Sequence, residues 1–216
     1  MKYIKKQAPP LEFISWLNKE NEDWHPTYEK LQNPEKEIVR LSLFNEQHGL
    51  CCYCEGRIAC DRSKVHIEHL YPQSLYPNMT VDYKNLLLSC NGQDIHEQKS
   101  PCHCGICKDD HDPNLMISPL DPSCEIRFVC REDGTMDARE ESDSKAKNTI
   151  DYVGLNASHL KRDREAIFEV VFPLITEFTS TEEIRPFVEA KVNSLVDNCY
   201  EPFWSVWNQI KKQYFA

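Results

Sequence analysis

His66-Ile67-Glu68-His69-Leu70-Tyr71-Pro72 stands between two groups of cysteines, and the fold turns on how that arrangement is read. Upstream, Cys51 and Cys54 form a C-x-x-C. Downstream come Asn85-Leu86-Leu87-Leu88-Ser89-Cys90 and then His103-Cys104-Gly105-Ile106-Cys107-Lys108. Cysteine pairs far apart in sequence that meet on one zinc ion clamp a small module around whatever lies between them. Here that is a carboxylate beside an imidazole. Cation-dependent phosphodiester hydrolysis needs those two groups, one to hold a divalent cation and one to activate water.

The thiols carry the fold. Cys51 and Cys54 have the spacing of a zinc knuckle, Cys90 is a natural third ligand, and the fourth is Cys102, Cys104 or Cys107, all in one short stretch. A redox C-x-x-C is the rival reading, but no βαβ pattern surrounds this one. Cys52, Cys60, Cys124, Cys130 and Cys199 read as core or surface thiols. Glu68 and His69 are neighbours, so a regular strand would point them to opposite faces. They serve one site only if the strand ends there, and Pro72 marks such an end. Asn85, at a strand start, reads as a turn hydrogen-bonder that pins the loop carrying the histidine or reaches the metal's surroundings.

Composition bounds the function. The 216 residues include four Trp and are 40% hydrophobic, enough for a real core. A net charge of −10 argues against a free-standing, high-affinity nucleic-acid binder, because neutralising phosphates takes clustered Lys and Arg. Eleven cysteines, with no evident leader and no long apolar run, set the expectation of a reducing, cytoplasmic location without membrane partners. The odd count already forbids complete pairing into disulfides within one chain.

Apolar periodicity predicts helices over about 9–22, with Leu11, Phe13, Ile14 and Leu17 on one face, and over 34–47, ending before Gly49. Val65-His66-Ile67 and Asn85 to Ser89 read as short strands, 93–102 as a polar loop, and 117–135 as a β-hairpin turning at Asp133-Gly134. The remainder reads as helices over about 141–153, 157–177, 181–198 and 203–214, with Pro173 and Pro186 kinking or splitting two of them. Lys108, Asp109, Asp110 and His111 read for the most part as a solvated helix end, and Lys161, Arg162 and Arg164 as a basic helix surface, with a phosphate or partner contact as the alternative. The expected class is α+β. It divides into an N-terminal helical cap (1–48), a zinc-binding core (49–116), a hairpin (117–138) and a C-terminal helical region (139–216).

Taken together, C-x-x-C, E-H-x-x-P, N-L-x-x-x-C and H-C-G-x-x-K resemble the HNH endonuclease superfamily with its ββα-metal, treble-clef-like core. Within it, the chain is most similar to the PtuB-type HNH proteins of Septu anti-phage systems, some of them encoded beside retrons. Ile117-Ser118-Pro119-Leu120, Asp133-Gly134 and Gly154-Leu155-Asn156, with Leu160 and Arg164, extend the likeness over most of 49–165. The resemblance implies His69 as general base, Glu68 as ligand of a catalytic Mg²⁺ or Mn²⁺, and Asn85 as the residue orienting the loop around the base. It also implies a structural Zn²⁺ on Cys51, Cys54, Cys90 and Cys104. One departure matters: many zinc-bearing HNH proteins carry a cation-binding His or Asn after the last zinc cysteine, and here Gly105 follows Cys104. Either His103 takes that role from the other side and pairs with Glu68, or Cys107 is the true fourth thiolate and the register differs. His66, two residues from Glu68 on one strand face, is a further candidate. The resemblance also implies a PtuA-type ATPase partner, a nucleic-acid substrate (DNA, with RNA or tRNA open), and, in retron-linked systems, a reverse transcriptase and its DNA product. The alternative is a non-catalytic, zinc-stapled adaptor for the ATPase or nucleic acid.

Overall fold

The computed structural model describes residues 1–61, 63–92, 102–177 and 183–215. The loop expected over 93–102 therefore lies almost wholly outside the described residues, as does the start of the helix expected from 181. Seven helices and two small antiparallel sheets are present among the described residues, an α+β architecture. None of these helices is long and apolar enough to cross a membrane.

The amino-terminal part is helical. Helix α1 (Leu11–Leu17) follows Pro9-Pro10 and buries Phe13 and Trp16, while Leu11, expected on the inner face, is 77% exposed. Helix α2 (Glu35–Glu46) buries Val39, Arg40 and Leu43. Past its end the chain reverses at Gly49, whose φ of +70° suits glycine and whose N–H donates to the Phe44 carbonyl at 3.2 Å. The buried Gln47 carboxamide then ties this corner to the sheet. Its Nε2 donates to the carbonyls of Leu50 (2.8 Å) and Leu88 (2.9 Å), and its Oε1 accepts from the Leu88 N–H (2.6 Å). That stitch holds the first cysteine pair against the sheet, where Cys52 N–H also bonds the Leu88 carbonyl.

Strand β1 (Val65–His69) pairs antiparallel with β2 (Leu86–Cys90), Glu68 opposite Leu87 and His69 opposite Leu86. Leu86, Leu87 and Leu88 are wholly buried, so β2 is covered on both faces. The short helix α3 (Cys104–Lys108) packs on β2 and completes a ββα unit.

The expected hairpin is shorter and later than the sequence reading: β3 (Phe128–Cys130) pairs with β4 (Met136–Ala138), and 117–127 is not strand. Asp121-Pro122 explains the difference, because the Asp121 carboxylate accepts from Ser123 N–H (2.9 Å) and caps a 3-10 turn over Pro122–Ile126. The hairpin turns at Gly134 (φ +74°), where an added Cβ would lie 1.9 Å from the Lys161 carbonyl oxygen.

Helices α4 (Ser144–Tyr152), α5 (Ser158–Glu177), α6 (Arg185–Asn193) and α7 (Trp204–Tyr214) follow. Pro173 neither splits α5 nor ends it, and Pro186 lies in the first turn of α6, where its missing N–H costs nothing. Arg164 is not surface but buried at 1% exposure, its guanidinium donating to the carbonyls of Gly134 and Leu155, both at 2.7 Å. It bolts the hairpin and the α4–α5 corner to α5. Phe203, Trp204 and Trp207 are buried as core.

Candidate active site and cysteine centre

Four thiols converge where the knuckle, β2 and α3 meet. The ligand atoms of Cys51, Cys54, Cys90 and Cys104 all lie within 4.8 Å of one another. The Cys54 and Cys90 sulfurs are 3.9 Å apart, close to the roughly 3.8 Å edge of a tetrahedron with Zn–S bonds of about 2.3 Å. Backbone groups orient them: Cys90 N–H donates to Cys51 Sγ (3.3 Å) and Gly56 N–H to Cys54 Sγ (3.4 Å). Burial and then its three neighbours push the Cys104 thiol well above its ordinary range, whereas Cys90 is drawn down to about 7, chiefly by hydrogen bonding from Cys104. A cation that accepts thiolates would relieve that crowding. The quartet suits a structural metal such as zinc. Of the other two thiols considered for the fourth position, Cys102 is exposed and Cys107 half-buried, and neither belongs to the cluster.

His103 belongs to this centre. Its Nδ1 lies 3.0 Å from Cys104 Sγ and 3.8 Å from Cys90 Sγ, and its Nε2 meets His159 Nε2 at 2.9 Å. Both ring nitrogens are thus engaged with thiols and with α5. The sequence reading pairs His103 with Glu68; in the structure the hydrogen-bond partners of His103 are the thiols and His159, and those of Glu68 are Lys108, Tyr53 and His66. The carbonyl of Val153 reaches Cys104 N–H at 2.7 Å, so the carboxyl-terminal half also holds α3 in position.

The acid–histidine pair stands at the end of β1, both residues buried at 6% exposure. The two Glu68 carboxylate oxygens have different surroundings. Oε1 takes the Lys108 ammonium at 2.9 Å and the Tyr53 hydroxyl at 3.0 Å; Oε2 faces His66 Nε2 at 3.3 Å. Burial opposes the charge, but His66 and Lys108 outweigh it and hold the Glu68 carboxyl below its ordinary value. Lys108 also donates to the His69 carbonyl at 3.0 Å, tying α3 to the strand end.

His69 Nε2 lies 2.9 Å from the Thr80 carbonyl, which can only accept. In the neutral ring that bond puts the proton on Nε2 and leaves the lone pair on Nδ1. Burial is the largest influence on this imidazole and lowers its pKa, favouring the neutral form. Tyr28 packs edge-on to the ring at 4.5 Å. Asn85 pins the intervening loop: its Oδ1 accepts from Tyr71 N–H (2.7 Å), and its Nδ2 donates to the carbonyls of Tyr71 and Met79, both at 3.0 Å. The loop thus clamped runs from the residue after Leu70 to the one before Thr80, which is the stretch that orients His69.

Three contributors escaped the sequence reading. Lys108, taken for a solvated helix end, is buried at 1% exposure and neutralises the acid. Tyr53, inside the C-x-x-C, supplies a hydroxyl whose target no local pattern reveals. Thr80 acts through a backbone carbonyl, which carries no residue signature. The lysine of H-C-G-x-x-K was the one available signal.

The structure thus defines a small ββα unit in which four thiols that could hold a metal lie close together and a buried carboxylate and imidazole stand at the strand end. No family model matches the chain. It is 36% identical over 141 residues to the protein named "Retron Vc95 putative HNH endonuclease" of Vibrio cholerae serotype O1 biovar El Tor, covering 62% of this chain and 65% of that one. It is 29% identical over 166 residues to Septu protein PtuB of Bacillus thuringiensis, covering 72% of this chain and 55% of the relative. The chain is therefore similar to these two proteins, and its match spans just under two thirds of the length of the first and just over half of the second.

Proposed function

We propose that the chain is a cation-dependent HNH endonuclease that hydrolyses phosphodiester bonds of nucleic acid, DNA foremost and RNA or tRNA next, in an anti-phage defence assembly. The observation that carries this reading is the buried imidazole of His69, its Nε2 held 2.9 Å from the Thr80 carbonyl and next to the Glu68 carboxylate, in a setting where burial lowers its pKa and favours the neutral form. Nδ1 of His69 takes a proton from water as the water oxygen attacks phosphorus and the leaving oxygen departs. Glu68 would hold Mg²⁺ or Mn²⁺, which when bound neutralises charge on the scissile phosphate and the leaving group. Lys108 and Tyr53 fix the carboxylate, and Asn85 keeps the loop and hence the ring in place. Cys51, Cys54, Cys90 and Cys104 would hold a structural Zn²⁺.

The partner proposed is a PtuA-type ATPase, with a retron reverse transcriptase and its DNA product as further members where such genes accompany it. The names of the two relatives support a defence assembly. The net charge of −10 supports capture of nucleic acid by the assembly rather than by this subunit. The same charge favours a second reading, a zinc-stapled adaptor that binds without cutting.

The test is cleavage of plasmid DNA and of total tRNA by the chain purified with its ATPase, comparing wild type with His69→Ala, each with Mg²⁺, Mn²⁺ or EDTA. Cutting that requires both His69 and the cation is expected, and the polymer cut names the substrate class. Undiminished cutting by His69→Ala would remove the proposed base. An intact complex that cuts neither polymer would select the adaptor.

A further inference from the structure

We infer that His66 and Glu68, two residues apart on β1, are together the protein ligands of the catalytic cation, and that Gly105 on α3 is the glycine that makes room for them. The inference rests on the nuclease reading above and specifies its cation site. A Cβ built on Gly105 would lie 2.4 Å from Glu68 Oε2, 2.5 Å from His66 Nε2 and 3.0 Å from Glu68 Cδ. Those separations are far inside contact distance, so no side chain at 105 coexists with the present positions of the acid and the imidazole. The helix therefore offers no ligand from that position. The volume that such a ligand would occupy is filled from the strand instead.

Three features make the strand pair fit a cation. Residues i and i+2 of a strand share one face, and the imidazole Nε2 and carboxylate Oε2 already stand 3.3 Å apart. The work of the carboxylate is divided: Lys108 and Tyr53 hold Oε1, leaving Oε2 on the side of His66 and Gly105. The His66 side chain is 30% exposed while that of Glu68 is 8%, so one end of the pair opens to solvent and to a phosphate oxygen or water that would complete the shell. His66 Nδ1 is buried without a hydrogen-bond partner among the described residues, so the position of this ring is not explained by a second bond of its own. Gly105 is itself fixed, its N–H donating to Ser89 Oγ at 3.0 Å and its carbonyl accepting from Asp109 N–H at 3.2 Å, so the helix cannot simply retreat from a larger residue.

One nitrogen with one carboxylate oxygen also bears on the ion. Imidazole suits the first-row transition metals better than Mg²⁺, so the pair favours Mn²⁺ over Mg²⁺ relative to an all-oxygen site.

The test is Mn²⁺ binding to the zinc-loaded, full-length chain, followed by electron paramagnetic resonance with detection of ¹⁴N coupling, for wild type, His66→Gln, Glu68→Gln and Gly105→Ala. Zinc content and the near-ultraviolet circular dichroism of each variant establish that the fold is retained. Wild type should show Mn²⁺ with imidazole nitrogen coupling. His66→Gln should lose that coupling and weaken binding by at least the roughly tenfold that even outer partners of a metal are worth. Gly105→Ala, which adds one methyl group against both ligands, should weaken it as well. Nitrogen coupling that persists in folded His66→Gln, or affinity unchanged by it, would overturn the assignment, even if cleavage still depends on His69 and Mn²⁺. If cleavage is absent in every form but the His66-dependent Mn²⁺ signal is present, the cation pair stands and the nuclease reading falls.

Discussion

Replacing Lys108 by methionine removes the ammonium that neutralises Glu68 while keeping the length of the stem. Both partners are nearly dry, with side-chain exposures of 2% and 8%, so water screens little of the loss. Breaking a buried ion pair from one side costs about 3–5 kcal/mol, because the remaining charge is left desolvated. His66 stays 3.3 Å from the other carboxylate oxygen and offsets part of that cost, which puts the expectation near 3 kcal/mol. For a chain of this size each kcal/mol moves the unfolding midpoint by about 2–4 °C, so Tm should fall by about 6–12 °C. The assay is thermal unfolding followed in the near-ultraviolet with zinc in excess, so that metal loss does not enter. Glu68→Gln and the double variant close the cycle, and the double should lose clearly less than the sum of the singles. A Lys108→Met midpoint within about 2 °C of wild type, or strictly additive losses, would refute the buried pair as the feature holding the acid.

Three further outcomes are expected. Asn85→Ala removes three hydrogen bonds that clamp the His69 loop, at about 1 kcal/mol each; it should cost about 2–4 kcal/mol in denaturant titration and most of the cleavage activity, with zinc content unchanged. Wild-type activity in that variant would deny Asn85 its positioning role. Cys90→Ser should lower zinc content measured by elemental analysis and leave a protein that chelators unfold readily, and full zinc retention at wild-type stability would exclude Cys90 as a ligand. Arg127 holds the Asp143 carboxyl below its ordinary range, so this pair contributes stability in full above the unfolded value of about 3.9, and the contribution is lost as pH falls through the depressed folded value. In Asp143→Asn, where asparagine still caps α4, the decline in stability below about pH 4 should be shallower than in wild type. An unchanged acid limb would show that the pair does not matter.

The sequence by itself determined what local chemistry encodes. The C-x-x-C and Cys90 announced a thiol cluster, and Asp133-Gly134 announced a hairpin turn. Apolar runs announced β1, β2 and the carboxyl-terminal helices, and Asn85 before an apolar run announced a loop-pinning amide. Each of these is a signal of spacing, periodicity or turn preference, readable within a few residues. Only the tertiary structure brought Cys104, rather than Cys102 or Cys107, into the thiol quartet, because the start of α3 is held by Val153 and Ser89 from elsewhere in the chain. Only the tertiary structure put His103 with the thiols and His159, set His66 against Gly105, and buried Lys108 and Arg164. The physical reason is the same in each case. Whether a charged or metal-binding side chain meets water or a partner is set by what packs over it, and in these cases that cover comes from segments up to 56 residues away.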